Sequence, residues 1–157
     1  MNQEKELRGS NGYLMLFVFL ILFFGSILGS VLLKNGWFIF GIVLALFVLP
    51  GLILVNPNEA RVLLLFGDYR GTVKQNGLFW VNPFYTKKKI SLRARNFDSE
   101  RLKVNDKLGN PIMISTILVW RVLDTYKASF DVDNFENFVV VQTDAAVRKL
   151  ASLYPYD

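Results

Sequence analysis

Two apolar runs with three residues between them constrain this chain more than any other feature. Residues 13–33 hold no Asp, Glu, Lys, Arg or His and neither do residues 37–55; only Lys34, Asn35 and Gly36 separate them. The first run makes a helix of about 32 Å at 1.5 Å per residue, enough for the roughly 30 Å hydrocarbon core of a bilayer. So short a connection joins antiparallel helices, which predicts a transmembrane helical hairpin over residues 13–55. The tail, residues 1–12, then lies on the same face as everything after Val55. Pro50 has no N–H and its ring opposes the carbonyl of Leu46, so the second helix kinks or stops there. If it stops, the remaining arm is too short to cross and the hairpin is a wedge in one leaflet.

Charge divides the chain in the same way. Lys34 is the single charged residue of residues 13–55, whereas residues 56–157 carry 26. Those 102 residues suffice for one small domain. Lys5, Arg8 and 15 basic residues of the domain flank the hairpin, against Lys34 alone at its tip. The positive-inside bias therefore predicts an integral membrane protein with its soluble part in the cytoplasm. A cleaved signal peptide is the competing reading of the first run, opposed by the run's length and by the second run that follows at once.

Small residues mark where helices can approach. Gly25 and Gly29 are four apart, and Gly41 and Ala45 repeat the step in the second run. Such spacing either closes the hairpin or joins two hairpins.

The soluble part reads as strands followed by helix. Residues 60–66 form a short apolar run bounded by turn residues, which predicts a buried strand. Residues 87–96 alternate, with Lys87, Lys89, Ser91, Arg93 and Arg95 on one face and Ile90, Leu92 and Ala94 on the other, predicting one half-buried strand with a basic outer face. Residues 99–105 and 112–123 flank a turn-rich segment and predict a hairpin with Pro111 at the strand entrance. Asp133 and Glu136 have capping-box spacing, and Phe135, Phe138, Val139, Ala145, Ala146, Leu150 and Leu153 share one broad helical face. Asp144 and Arg148 add an i,i+4 pair. The fold class expected is α+β.

The order of short motifs carries a resemblance. Val55-Asn56-Pro57-Asn58-Glu59, Phe66-Gly67, Tyr69-Arg70-Gly71-Thr72-Val73-Lys74 and Gly77-Leu78-Phe79-Trp80-Val81-Asn82-Pro83-Phe84 resemble the opening of the stomatin/prohibitin/flotillin family, the SPFH or band 7 proteins. Trp120-Arg121-Val122-Leu123-Asp124, followed by an Asp/Asn-started helix, fits the same layout. The resemblance implies an SPFH domain over residues 56–157 with a mixed β-sheet and a C-terminal helix, incomplete at its C-terminal end because relatives continue into a coiled coil. It implies a membrane-anchored scaffold that forms homo-oligomers when full length and organises membrane microdomains and their proteins. The alternative it implies is a regulatory subunit that binds and restrains a membrane protease or channel. Relatives that carry acyl chains do so on cysteines, which this chain lacks.

Two surfaces stand out for binding. Lys87, Lys89, Arg93 and Arg95 suit anionic lipid headgroups or a partner's acidic side chains. Phe79 and Trp80, with Phe84 nearby, suit the headgroup level of a membrane or else fill the small core. Nucleic acid does not fit, because the stacked-aromatic and basic spacing of RNA readers is absent. Catalysis has little to work with. The chain has no histidine and no cysteine, which excludes thiol nucleophiles, thiolate metal sites and the commonest general base and zinc ligand. A Ser91–Lys89 dyad on a solvated strand would not desolvate the lysine into a base. Asp131, Asp133 and Glu136 lack the glycine that a calcium loop needs at its sixth position. The expectation is therefore a non-enzymatic protein without metal or cofactor.

Overall fold

The computed structural model describes residues 4–155; the tail's first three residues, and Tyr156 and Asp157 of the expected truncated end, lie outside the described residues. In chain order the elements are β1 (Ser10–Asn11), α1 (Gly12–Leu33), α2 (Phe38–Val48), a 3-10 turn (Leu49–Gly51), β2 (Leu52–Val55), β3 (Glu59–Leu65), β4 (Asp68–Val73), β5 (Gly77–Trp80) and β6 (Tyr85–Ser91). They continue with β7 (Arg95–Asp98), β8 (Leu102–Asn105), β9 (Pro111–Ile114), β10 (Ile117–Trp120), α3 (Thr125–Phe130) and α4 (Phe135–Leu153). The chain folds as two compact units, Met1–Ser91 and Leu92–Asp157. The architecture is α+β.

In the first unit, the two apolar runs fold back on each other. The Asn11 side chain accepts from the N–H groups of Tyr13 and Leu14 and so starts α1, satisfying two of the donors that a helix N-terminus leaves unpaired. Lys34, in the left-handed region with φ 48°, ends it. A side chain on Gly41 would strike Ser26 Oγ, and one on Gly29 would strike the Phe38 ring. Ser26 and Ala45 are buried at the same seam. Three of the four expected small residues thus close the hairpin itself, by letting backbones approach. Gly25 faces open space.

The second arm differs from a helix running to Val55. Helix α2 stops at Val48, Pro50 sits in the 3-10 turn, and residues 52–55 are strand β2. Proline removes a helical donor and clashes with the turn behind it, and the apolar residues beyond it pair with β5 instead. Leu52 through Val55 face Trp80 through Gly77, while Ser10 and Asn11 pair with Trp80 and Phe79 on the other edge of that strand. Both flanks of the hairpin therefore end in one sheet, ordered β1-β5-β2, which brings the tail together with the first strands after the hairpin.

A second three-stranded sheet, β4-β3-β6, packs with the first around Ile53, Val55, Leu63, Val73 and Val81, joined by Leu7, Phe79 and Tyr85. The tail continues along it: Leu7 N–H donates to Thr72 O at 2.9 Å, Thr72 N–H donates to Lys5 O at 2.8 Å, and Lys74 pairs with Glu4 at 2.6 Å.

The second unit is a long β-ribbon with two helices. Strands β8 and β9 form the expected hairpin with Pro111 at its entrance, and β7 pairs with β10. Two expected strands are broken. Residues 87–96 become β6 and β7 with a bend at 92–94, and residues 112–123 become β9 and β10 with a break at 115–116. At the second break the ladder turns a corner: Ser99 N–H donates to Thr116 O and Thr116 N–H donates to Ser99 Oγ. One extra residue between β7 and β8 shifts the register there, as a bulge does. Helix α3 is capped by Asp124 and α4 by Asn134, whose side chain accepts from Glu136 and Asn137 N–H. Asn134 thus replaces the expected Asp133, because the cap is the last residue still in extended conformation. Among the described residues, Asp144 and Arg148 form no ion pair.

Gly41→Leu should overpack the α1–α2 seam and destabilise the hairpin by about 1–3 kcal/mol, whereas Gly25→Leu should be nearly neutral. Unfolding of the two variants in detergent micelles, followed by circular dichroism, checks the contrast; equal midpoints would contradict the seam.

Candidate membrane anchor and its base

Helix α1 is apolar over its whole length, and only 6% of its most hydropathic 18-residue window is buried. A core helix of a soluble protein hides its apolar faces; α1 exposes Leu14, Phe17, Ile21, Phe24, Leu28 and Leu32. A surface of that kind is stable against lipid, not water. The part standing clear of the β-sheets is shorter than the helix. Gly12 is buried against Leu78 of β5, so the first turns of α1 lie along the sheet. With Ser26 opposite Gly41 and Phe38 opposite Gly29, the end of α2 is level with Phe19. Residues 19–33 then project about 22 Å, against a core of about 30 Å.

At the base, the chain leaves α2 through a series of carbonyls that a helix C-terminus orphans. Each has a donor. Trp80 Nε1 donates to Val48 O at 2.9 Å, Lys87 Nζ donates to Pro50 O, and Val81 N–H donates to Gly51 O at 2.8 Å; further on, within β2, Arg61 Nε and Nη2 donate to Leu54 O at 3.3 and 3.2 Å. Gly51 leaves the room that the Trp80 indole occupies. Burial, with the Arg61 charge beside it, holds the Lys87 ammonium below the ordinary lysine value.

The expected basic face is divided by the bend at 92–94. Lys87 and Lys89 lie on β6 opposite Leu63 and Arg61 of β3, facing the base of the hairpin. Lys89 lies 2.7 Å from the nearly buried carboxylate of Glu59, which also accepts from Asn56 Nδ2 at 3.2 Å. The hydrogen bond from Lys89 holds the Glu59 carboxyl below its ordinary value, against the opposing effect of burial. Arg93 lies in the bend, exposed. Arg95 is in the second unit, paired with Glu136 and 5.7 and 5.8 Å from the ring centres of Trp120 and Phe135. Lys87, Lys89 and Arg95 thus have partners within the chain. Among the described residues no cluster of histidine, cysteine, aspartate and glutamate could hold a metal ion.

The aromatics divide similarly. Phe79 packs on the core and Trp80 on the end of α2. Phe66 and Phe84, by contrast, are exposed, with ring centres 6.4 Å apart, and Phe84 lies 5.6 Å from Phe47 of α2. Sequence reasoning did not single out Phe66 or Arg61. A bulky residue directly before Gly67 in a tight turn was the available signal for Phe66; Arg61 gave none.

Trp80→Phe leaves the Val48 carbonyl without its donor and should cost about 1–3 kcal/mol, read from denaturant unfolding in micelles. Because the folded-state Glu59 carboxyl titrates below the unfolded value of 4.5, its stabilisation is complete above that value. It is lost as pH falls from there through the depressed native one. Glu59→Gln should therefore lower stability at neutral pH and flatten the acid limb; an unchanged acid limb would contradict the pairing.

Residues 53–157 match the SPFH domain / Band 7 family. An uncharacterized protein of Methanocaldococcus jannaschii is 23% identical over 115 residues, covering 73% of this chain and 57% of that relative. The chain spans little more than half the length of that relative. With the family match covering most of its residues, the chain belongs to the SPFH domain / Band 7 family.

Proposed function

We propose that this protein is a membrane-anchored scaffold whose copies assemble on one membrane face and gather lipids and membrane proteins there. The observation that carries the reading is the pairing of both hairpin flanks with β5. A first unit joined to its anchor by two hydrogen-bonded strands cannot swing as it would on a linker, so the first units of neighbouring copies meet in one orientation. A further support lies in the second unit. Ile117, Val119, Leu123, Phe138, Val141 and Leu150 are all exposed, and open apolar grooves of about 350 and 480 Å³ run between α4 and the β10–α3 segment. Apolar surface of this extent, outside the membrane anchor, marks a place where protein meets protein.

The Lys and Arg distribution favours the cytoplasmic face for the domain. A projecting hairpin shorter than the hydrocarbon core favours insertion that crosses only with its base immersed, or otherwise stops within the bilayer. The proposed role is non-catalytic: the amine of the imagined Ser91–Lys89 dyad is occupied by the Glu59 carboxylate. Lipids and further copies of the chain are the proposed partners.

The chain has no cysteine, so Gln75→Cys gives a single labelling site on an exposed turn. Donor- and acceptor-labelled protein, reconstituted together and diluted with lipid, should keep its energy transfer down to a few copies per vesicle. Transfer falling to the value for randomly placed monomers would refute assembly.

A further inference from the structure

The base of the hairpin carries an apolar surface that neither the core nor the hairpin seam uses. Phe66 and Gly67 are the two-residue turn between Leu65 of β3 and Asp68 of β4, with φ of 49° and 95°. Turns with two positive φ values suit Asn-Gly or Asp-Gly, and a bulky residue at the first position is strained. Phe66 is nonetheless there, and is 85% exposed. In water this residue has no benefit to set against the strain.

Its surroundings supply one. Phe66 leads to Phe84 and Phe84 to Phe47, so the turn is continuous with the lipid-facing surface of α2. Beside Phe84 lies an open groove of about 310 Å³, walled by Val43, Leu46, Phe47 and Pro50 on the anchor side and by Pro83 and Phe84 on the domain side. Four of its six walls belong to the hairpin arm and its end. The hairpin's length points the same way. At about 22 Å it falls short of the core by about 8 Å, yet its tip carries Lys34 and an exposed Trp37, residues suited to a headgroup level. Immersing the base lowers the tip toward the far headgroups.

We propose that the Phe66 turn and the Pro83–Phe84 loop, with the groove between Phe47 and Phe84, form a second membrane-inserting surface set at the acyl edge of the near leaflet. The proposal rests on the hairpin being the membrane anchor. It adds that the base of the first unit is itself partly immersed.

Single-cysteine variants of the full chain, labelled with an environment-sensitive fluorophore and reconstituted in phosphatidylcholine vesicles containing shallow doxyl-lipid, test both statements separately. Leu28→Cys reports the hairpin, Phe66→Cys and Asp68→Cys report the turn without and with its phenylalanine, and Gln75→Cys reports the far end of β4. The expected result is quenching at 28, 66 and 68 and none at 75. Adding Phe66→Asn, which suits the left-handed turn and preserves the fold, should at least halve quenching at 68. Quenching at 28 with 66 and 68 as unquenched as 75 would overturn the immersed base and leave the anchor standing. No quenching at 28 would overturn the anchor and the proposal with it. A blue-shifted but unquenched dye at 68 would mean that protein covers the patch, and would also overturn the proposal.

Discussion

The rest of the first unit depends on the main-chain hydrogen bonds that β5 makes with β1 on one edge and β2 on the other. A chain that enters and leaves a bilayer carries backbone donors and acceptors through a region where water cannot satisfy them, each costing several kcal/mol if orphaned. Helices meet this need in their middles and fail at their ends. Here the ends are met by strand pairing: α1 begins directly after β1, and α2 gives way within a 3-10 turn to β2. The hairpin is therefore closed at both extremities, by Gly29 and Gly41 along its seam and by β5 at its base.

The same need explains where the cations went. Lys87 and Arg61 extend over the base and donate to the carbonyls of Pro50 and Leu54, while Trp80 takes that of Val48. A charge used in this way is partly dehydrated, which is why the Lys87 ammonium is held below its ordinary value. Lys89 instead pairs with the Glu59 carboxylate at 2.7 Å. Basic residues near a membrane are readily assigned to headgroups; in this fold two of them fasten the exit of the anchor. Gly51 belongs to the same arrangement, since any side chain there would displace the indole.

What the sequence made legible was set by local chemistry. An uncharged run, a proline in a helical arm, small residues four apart and a turn-rich segment before Pro111 act within a few residues, and α1, the stop before Pro50, the hairpin seam and the β8–β9 turn follow from them. The losses came where partners are distant. Ser10 and Asn11 are a strand only because Phe79 and Trp80 lie beside them. Leu52 to Val55 have the composition of the membrane run they follow, and only pairing with β5 makes them a strand. The alternation of residues 87–96 is real in sequence, but its two halves join different sheets, with Lys87 and Lys89 in the first unit and Arg93 and Arg95 in the second. Asn134 takes the cap from Asp133 by one residue of backbone geometry. Phe66 and Phe84 were invisible as a pair because seventeen residues lie between them along the chain.

The limits of the family match expose a further consequence of the base sheet. The match begins at residue 53, inside β2, and so separates β1, the tail and the hairpin from the domain. The packing does not separate there: the first compact unit runs from the tail to Ser91. Leu7 lies against the core, Lys5 and Leu7 bond to Thr72, and β1 covers an edge of β5. A fragment starting at residue 53 would lose all three at once and present β5 and β4 with unpaired edges, which recruit strands from other chains. The tail that precedes the anchor is thus part of the domain that follows it, and the hairpin is less an appendage than a long insertion between the strands of one sheet.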